Sequence, residues 1–483
     1  MNCEEQARRL ITEKCLIATD VDQTILAQGT NQEEEKLTFF RRMAPELVAS
    51  ARLGAHVGFI TGNSMNELCS RFLQSLVEQL CHTGDLGVIT RFHFFCNSGG
   101  IYFRFPKAVV DHAIERTKVE HGEQLRKLFW RAIVDSKEGE LRIRPQFVDA
   151  AYVERCLIPP GDAEIIARVL QTTAHEYFED LKRNLALHQE KYDLSWFREK
   201  HGRLKPPKVE LRSAAYRSGA VEKPAVVQIT LKPVLCFRQA RSGFAEGLIG
   251  RDIRSQVVRT IQAQLDAAGL GHYVARPGGR ASIDVTLARL DKAYALDFLI
   301  DHLRLQGNIH HGQQLGSNTI YFGDEVMVGG GNDYSITRIP GLLVFAVNRD
   351  RGLIPFLRDV FVPSAIFEGP EATSDVLTHF NQCARRLMRE YRPDHPTKTA
   401  IEALKQEIFA NRITEKIDLL RSRGIAADDW QTLHTFVTLM ARDEGSGRQW
   451  SSILVKELDT IMTQLTTDLR ESIPNPDTSH SHA

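Results

Sequence analysis

Two aspartates separated by a single residue, Asp20 and Asp22, follow a short apolar run from Cys15 to Ala18. Paired carboxylates at this spacing suit phosphoryl transfer, since one can attack phosphorus to form an acyl-phosphate while the other moves a proton to or from the leaving oxygen. Such a site requires a divalent cation, because a phosphate group and two carboxylates repel one another. The alternative is an acidic turn that only ends a strand.

Further apolar runs predict the elements that must position such a site. They are His56 to Ile60, Phe92 to Cys96, Thr319 to Phe322 and Leu342 to Val347. Continuous apolar runs of this length are typical of parallel strands that helices cover on both faces. Ligands of such sheets bind beyond the carboxyl ends of the strands. We therefore predict an α/β fold in which the residues that follow these strands form one site.

Two residues that follow or precede these elements could bind a phosphate group. Thr61 comes directly after the strand that ends at Ile60 and just before a helix, so its hydroxyl and nearby backbone N–H groups form a phosphate cradle. Lys292 opens an amphipathic helix and can neutralise the nucleophile and the transferring phosphoryl group. The alternatives are a threonine that only caps a helix and a lysine on the surface.

A second acidic pair follows the strand that ends at Phe322. Asp324 and Asp333 flank three glycines, Gly329 to Gly331, which let the backbone approach a metal closely. Taken alone, Asp324 could be a turn former and the glycines a plain loop. The occurrence of all these groups in this order favours a catalytic site.

With these four motifs the sequence resembles the haloacid dehalogenase superfamily. It is most similar to eukaryotic phosphomannomutases and to sucrose- and trehalose-phosphate phosphatases. The similar segments beyond the first two motifs are Ala281 to Val285, Asp291 to Leu296, and Gly323-Asp324 through Gly330-Gly331-Asn332-Asp333-Tyr334. The resemblance covers roughly 14–105 and 225–380.

The resemblance implies a role for each candidate residue. It makes Asp20 the nucleophile and Asp22 the general acid/base, with Lys292 beside them. It implies Mg²⁺ bound by Asp20, Asp324 and the Asp22 carbonyl, with Asp333 either as a further ligand or as a residue that orients the ligands.

The resemblance also implies how the substrate is bound. Thr61, Gly62 and Lys292 would bind the phosphoryl group. Ser282, Asp284 and Arg238 would contact the rest of the substrate from an inserted cap.

The sequence departs from the mutases in three places. Gln23 stands where the family usually has glycine, and Gln28-Gly29 stand where mutases carry an arginine. The mutase Pro-x-Gly-Arg turn appears as Pro233 to Cys236, with Arg238 two residues late. A mutase must bind two phosphates alternately and needs cations for both, so these losses favour hydrolysis. The arginines that could replace the missing ones are Arg238, Arg241, Arg251 and Arg276.

We therefore predict a Mg²⁺-dependent phosphatase that hydrolyses a small phosphorylated sugar or polyol through an aspartyl-phosphate. One alternative is a phosphosugar mutase. Another is a binding or scaffold protein on a catalytically retired core.

The predicted architecture is a Rossmann-like core with a parallel sheet, an inserted α+β cap of the type-2 kind and an all-helical C-terminal extension. The boundaries along the chain are 1–105 (core), 106–288 (cap), 289–385 (core), 386–472 (helical extension) and 473–483 (disordered tail). We also expect an edge strand from Ala365 to Phe367 and a capped helix from Ser374.

Composition argues against several classes of partner. Lysine plus arginine equal aspartate plus glutamate at 61 each, so nothing favours binding to nucleic acid or an anionic membrane. The polar start and the absence of a long apolar run predict a cytoplasmic protein without a signal peptide. The eight cysteines contain no CxxC pair, which is typical of reduced thiols. Oligomerisation through the C-terminal helices is compatible with their leucine spacing.

Overall fold

The computed structural model describes most of the first four hundred residues. The described ranges are 3–26, 43–119, 121–137, 139–188, 206–234, 244–278, 282–307, 314–324, 326, 333–347, 360–361 and 369–408. The chain divides into two compact units, Met1–Leu404 and Lys405–Ala483, and the elements below belong to the first.

A seven-stranded sheet forms the core of this unit. Its strands are β1 (Leu16–Thr19), β2 (His56–Ile60), β3 (Phe92–Cys96), β4 (Ile101–Arg104), β11 (Thr319–Gly323), β12 (Leu343–Ala346) and β13 (Val360–Phe361). The strand order is β13-β12-β11-β1-β2-β3-β4, and all neighbours are parallel except β3 and β4, which form an antiparallel hairpin. Every residue of β1, β2, β3, β11 and β12 is buried, which explains why the sequence shows these strands as continuous apolar runs.

Helices accompany the core strands along the chain. They are α1 (Cys3–Ile11), α2 (Ala44–Leu53), α3 (Met65–Glu67), α4 (Gln74–Thr83), α5 (Lys107–Thr117), α6 (Glu123–Ile133), α7 (Ala150–Cys156), α10 (Lys292–Leu305) and α11 (Pro370–Glu390). The close approach of α10 to the sheet depends on Gly58 of β2, because an added Cβ there would lie 2.7 Å from Leu299 Cδ2.

A second, antiparallel sheet is inserted between β4 and α10. Its strands are β7 (Lys208–Ser218), β8 (Val221–Lys232), β9 (Tyr273–Gly278) and β10 (Ser282–Leu287), in the order β7-β8-β10-β9. Alternate residues such as Ile229 and Ile283 pack against the helices α8 (Pro160–His188) and α9 (Phe244–Ala267). The other residues of these strands point to the opposite side of the sheet and form a polar face that includes Gln228, Thr230 and Asp284.

Some elements differ from the sequence-based expectations. The helix expected from Ser374 begins at Pro370, because Gly369 adopts a positive φ of 55° and Pro370 occupies the first helical position. The short strands β5 (Val134–Lys137) and β6 (Glu140–Ile143) and the strand β7 were not expected. The edge strand is Val360–Phe361, and the expected one from Ala365 to Phe367 lies outside the described residues.

The α/β class with a Rossmann-like core is confirmed by this topology. The predicted domain boundaries stay predictions. No helix in the described ranges combines the length and the apolarity that a membrane span requires.

Candidate active site

Lys292 lies at the centre of a buried cluster of charges. It is the first residue of α10, whose N-terminus is capped by the Asp291 carboxylate through a 2.9 Å hydrogen bond from the Tyr294 amide. Its Nζ lies 2.8 Å from Asp20 Oδ1 and donates to Asp333 Oδ1 at 2.6 Å. Only 1% of Lys292 is exposed, so this lysine is not the surface residue that the alternative interpretation required.

Three carboxylates from different parts of the chain meet beside this lysine. Asp20 follows β1 and Asp324 follows the neighbouring strand β11, while Asp333 follows further along the chain. One carboxylate oxygen from each lies within 4.8 Å of the others, and all three residues are buried. An added Cβ on Gly323 would lie 2.7 Å from the Asp333 carboxylate, so a larger residue there would displace this carboxylate. Tyr321 holds Asp333 with a hydrogen bond of 2.5 Å.

The charges of this cluster do not balance. Burial, opposed by Lys292 and assisted by the Asp333 carboxylate, raises the pKa of Asp20 to about 7. Burial lowers the pKa of Lys292, but Asp20 and Asp333 outweigh burial and hold that pKa above its usual value. Three carboxylates facing one ammonium leave two negative charges in excess when all are ionised. Oxygen donors with this excess charge fit a hard divalent cation such as Mg²⁺.

Thr61 follows β2, the other neighbour of β1, at the carboxyl end of this strand. Thr61 is fully buried. Its hydroxyl accepts a 3.1 Å hydrogen bond from the backbone N–H of Asn63, and Gly62 lies between the two residues. The following helix is capped by Ser64 in a reciprocal pair with Glu67. Since Ser64 is the cap, the cap alternative does not account for Thr61.

Asp22 is more open than Asp20 and has an unexpected partner. Its side chain is 38% exposed, and its Oδ1 lies 3.0 Å from Arg71 Nη1. Arg71 is on a π-helical turn, Leu68–Leu73, between α3 and α4. Such turns are frequent at functional sites because they change which way side chains point. Sequence reasoning missed Arg71, and an arginine within an amphipathic helix carries no signal of its own.

The residue that departs from the family pattern, Gln23, has a left-handed backbone with φ 58°. Glycine adopts this conformation without strain, whereas glutamine does not. The backbone geometry thus explains why glycine is usual at this position.

The predicted cap residues lie apart from this cluster in the chain. Ser282 donates to the Gly278 carbonyl at 2.7 Å, and Asp284 accepts from the Thr230 hydroxyl at 2.8 Å on the polar face of the inserted sheet. Burial raises the pKa of Asp284, although the Thr230 hydrogen bond opposes this effect. Arg238 lies outside the described residues.

Of the arginines considered as replacements, the structure gives a position to Arg276. Its guanidinium donates to the Leu290 and Ala288 carbonyls at 2.6 Å each. These carbonyls belong to the segment that leads into Lys292, so Arg276 supports the start of α10. Arg241 lies outside the described residues, and the side chain of Arg251 is not among those described.

The chain was compared with known proteins. A family model, eukaryotic phosphomannomutase, matches residues 225–362. An N-terminally truncated IMP-nucleotidase from Plasmodium falciparum has 13% identity over 78% of this chain and 73% of its own, with a TM-score of 0.39. Sucrose-phosphatase from Synechocystis, in complex with sucrose and phosphate, has 12% identity over 76% and 98%, with a TM-score of 0.36. A haloacid dehalogenase-like hydrolase from Bacillus subtilis has 10% identity over 76% and 93%, with a TM-score of 0.33. No match was found among curated proteins.

The phosphomannomutase match and the sheet topology support the resemblance to the haloacid dehalogenase group of phosphatases and mutases. Phosphatases and mutases of this group share one type of reaction, which is phosphoryl transfer.

Proposed function

We propose that this protein, a phosphoryl-transfer enzyme of the haloacid dehalogenase type, is a Mg²⁺-dependent phosphatase that hydrolyses a small phosphorylated sugar or polyol. The observation that carries the proposal is the buried contact of Lys292 with both Asp20 and Asp333. Burying three carboxylates together beside the carboxyl ends of two central strands costs stability. Perturbed buried charges of this kind cluster at functional sites.

In the proposed reaction a carboxylate oxygen of Asp20 attacks phosphorus, and the bond from phosphorus to the sugar oxygen breaks. Asp22 gives its proton to the departing oxygen, so the leaving group departs as an alcohol. Asp22 then takes a proton from a water molecule that attacks phosphorus, which releases phosphate and regenerates Asp20. The partial exposure of Asp22 allows it to exchange protons with water, whereas the burial of Asp20 protects the acyl-phosphate.

Other residues would stabilise the charge of the transferring group. The Lys292 ammonium offsets the charge on Asp20 and on the phosphoryl oxygens, and the Thr61 hydroxyl donates to a phosphoryl oxygen. Mg²⁺, held by Asp20, Asp324 and Asp333, would supply further positive charge for the phosphoryl group.

Charge pairing on the inserted sheet supports hydrolysis over a mutase reaction. A mutase needs cations that can bind a second phosphate. Arg212 is already paired with Glu67 and Glu210 at 3.3 Å each, and Lys232 lies 3.2 Å from Glu210. The polar face of this sheet is therefore suited to an uncharged group.

The phosphatase proposal is tested by phosphate release in the presence of Mg²⁺. The substrates are p-nitrophenyl phosphate and a panel of glycerol phosphate, hexose 1-phosphates and hexose 6-phosphates. Asp20→Asn should abolish turnover without unfolding the protein, whereas Asp111→Asn should not, since Asp111 is an exposed residue of α5 paired with Lys107. Full activity in Asp20→Asn would overturn the assignment. A wild-type protein that releases no phosphate from any of these esters would instead favour a scaffold on a retired core.

A phosphosugar mutase is the second candidate, because the phosphomannomutase model matches residues 225–362. Incubation of a hexose 1-phosphate with and without a hexose bisphosphate separates the two. An isomerised phosphate ester favours the mutase, and free phosphate favours the phosphatase. A cytoplasmic location and oligomerisation through the C-terminal extension, 386–472, remain part of the proposal.

A further inference from the structure

The loop that follows β3, residues 97–100, borders both phosphate-binding candidates. The Ser98 amide donates to the Thr61 carbonyl at 3.0 Å. Gly99 lies against the start of α10, since an added Cβ would be 2.9 Å from Ala295 Cβ and 3.4 Å from the Asp291 carbonyl oxygen. This loop therefore lies between Thr61 and the helix that begins with Lys292.

Asn97, the first residue of this loop, is buried with an unsatisfied amide. Only 1% of it is exposed, and neither its Nδ2 nor its Oδ1 has a hydrogen-bond partner among the described residues. The backbone of Asn97 is left-handed, with φ 51°, and its backbone N–H donates to the Asn63 backbone carbonyl at 2.8 Å. A buried polar group without a partner is rare, and a bound ligand or water explains such a group better than a structural role.

Two further unsatisfied groups lie on the strands that face this loop. An added Cβ on Gly100 would be 2.8 Å from Val227 Cγ2, so the loop touches β8 beside Gln228. Gln228 is 1% exposed, and its Oε1 has no hydrogen-bond partner within the described ranges. Arg212 is the cross-strand neighbour of Gln228, and its buried Nε is likewise without a partner there.

The chemistry of these groups indicates what they would bind. The Asn97 amide can donate and accept, Gln228 Oε1 can only accept, and Arg212 Nε can only donate. The two terminal nitrogens of Arg212 are already paired with Glu67 and Glu210. The positive charge of Arg212 is therefore balanced by these carboxylates and does not favour an anionic ligand. Hydroxyl groups, which donate and accept at once, match this set.

A chain of hydrogen bonds connects Gln228 with Asp284, one of the predicted cap residues. Gln228 Nε2 donates to Thr230 Oγ1 at 3.0 Å, and Thr230 donates to Asp284 at 2.8 Å. The chain fixes the orientation of the Gln228 amide and leaves its oxygen for a ligand.

We propose that Asn97, with Gln228 and the Arg212 Nε, binds uncharged hydroxyl groups on the leaving group of the substrate. This proposal rests on the proposed phosphatase function. It makes the substrate a monophosphate of a polyhydroxylated alcohol, and it makes Asn97 a specificity-determining residue supplied by the core itself.

The test compares two substrates in the variant Asn97→Gly, since glycine keeps the left-handed backbone without strain. The substrates are p-nitrophenyl phosphate, whose leaving group has no aliphatic hydroxyl, and the hexose phosphate of the panel that the wild type hydrolyses best. Leaving a buried polar group unpaired in the complex should lower kcat/KM for the hexose phosphate by about tenfold to hundredfold. The fall for p-nitrophenyl phosphate should be at least tenfold smaller.

A matched control is Asn381→Ala. Asn381 is a buried asparagine of α11 whose amide is satisfied by Glu46 and Ser50. This variant should melt at a lower temperature without changing the ratio of the two kcat/KM values. Asn97→Gly should change the ratio and keep a melting temperature near that of the wild type without ligand. Equal falls for both substrates, or a lower melting temperature with an unchanged ratio, would mean that Asn97 is structural or holds only a buried water, and the proposal would be wrong.

A double-mutant cycle tests whether Asn97 and Gln228 share one ligand. If they do, Asn97→Gly and Gln228→Met together should lower kcat/KM for the hexose phosphate by less than the product of the two single effects. Fully multiplicative effects would overturn a shared site. A wild type inactive on both substrates would instead refute the proposed function, which separates the two failures.

Discussion

A buried pair of histidines predicts how the stability of this protein depends on pH. His56 Nδ1 lies 3.1 Å from His93 Nε2, and His93 Nδ1 lies 2.9 Å from the Tyr102 hydroxyl. Burial is the largest of the effects that together lower the pKa of His56 to about 3, and the nearby Arg91 and Arg104 guanidiniums and His302 act in the same direction. Burial, His56, Arg104 and His302 likewise hold the pKa of His93 well below its usual range. Both rings are therefore neutral in the folded protein.

The sign and size of the effect follow from proton binding. An unfolded histidine titrates near pH 6.5, so below this pH the unfolded chain binds a proton at each position that the folded protein does not. The free energy of unfolding therefore falls as the pH decreases from about 6.5 toward 3. For His56 the loss between pH 8 and pH 5 is about 2 kcal/mol, from roughly 1.4 kcal/mol for each pH unit. A similar loss from His93 brings the total to about 4 kcal/mol, a large part of a typical stability of about 5–15 kcal/mol.

The assay is denaturant unfolding at several pH values for the wild type and His56→Gln. Glutamine can still form a hydrogen bond with His93 but does not titrate, so the variant should lose about 2 kcal/mol less than the wild type between pH 8 and pH 5. The control is His379→Gln, a half-exposed histidine of α11 that should leave the pH dependence as in the wild type. Identical pH dependence in His56→Gln and the wild type would refute the buried neutral pair.

Three further variants test other parts of the structure. Gln23→Gly should raise the free energy of unfolding by up to about 1 kcal/mol in denaturant unfolding, because it relieves the left-handed backbone at some entropic cost, and a loss of stability would contradict this. Arg71→Gln should slow hydrolysis of alkyl phosphates about tenfold more than that of p-nitrophenyl phosphate, because Arg71 orients the proton donor Asp22, and equal slowing in steady-state assays would argue against it. Mg²⁺ should raise the melting temperature of the wild type but not of Asp324→Ala, and equal rises in both would exclude Asp324 as a ligand.

The core sheet could be predicted from the sequence because its strands are buried on both faces. Such strands have no polar face, so β1, β2, β3, β11 and β12 stand out as short apolar runs between polar segments. Parallel strands also place their carboxyl ends at one edge, which is why residues as far apart as Asp20 and Asp324 could be assigned to one place.

The inserted segment was harder to predict because its strands have one polar face. Most residues of β7 are exposed or half-buried, and the strand contains charged side chains such as Glu210 and Arg212, so it does not stand out as an apolar run. The start of α11 was placed four residues late, although Gly369-Pro370 is a recognisable signal for a helix start.

The side chains that complete the site carry no sequence signal. The Arg71–Asp22 contact depends on a π-helical turn, in which the Phe72 ring packs against Phe59 of β2. The unsatisfied amide of Asn97 depends on which groups surround it in three dimensions. Sequence reasoning finds residues whose type and spacing are informative, such as Asp20 and Thr61, and does not find those defined by their neighbours.

The central claim is that Asp20 forms a covalent bond with phosphorus, and the most direct measurement is to trap that intermediate. The protein is mixed with Mg²⁺ and its best substrate, quenched in acid, treated with borohydride to reduce any aspartyl-phosphate, and mapped by mass spectrometry. Reduction at position 20 that depends on substrate and is lost in Asp20→Asn is the predicted result. Turnover without any modification at Asp20, or with modification at another carboxylate, would contradict the account.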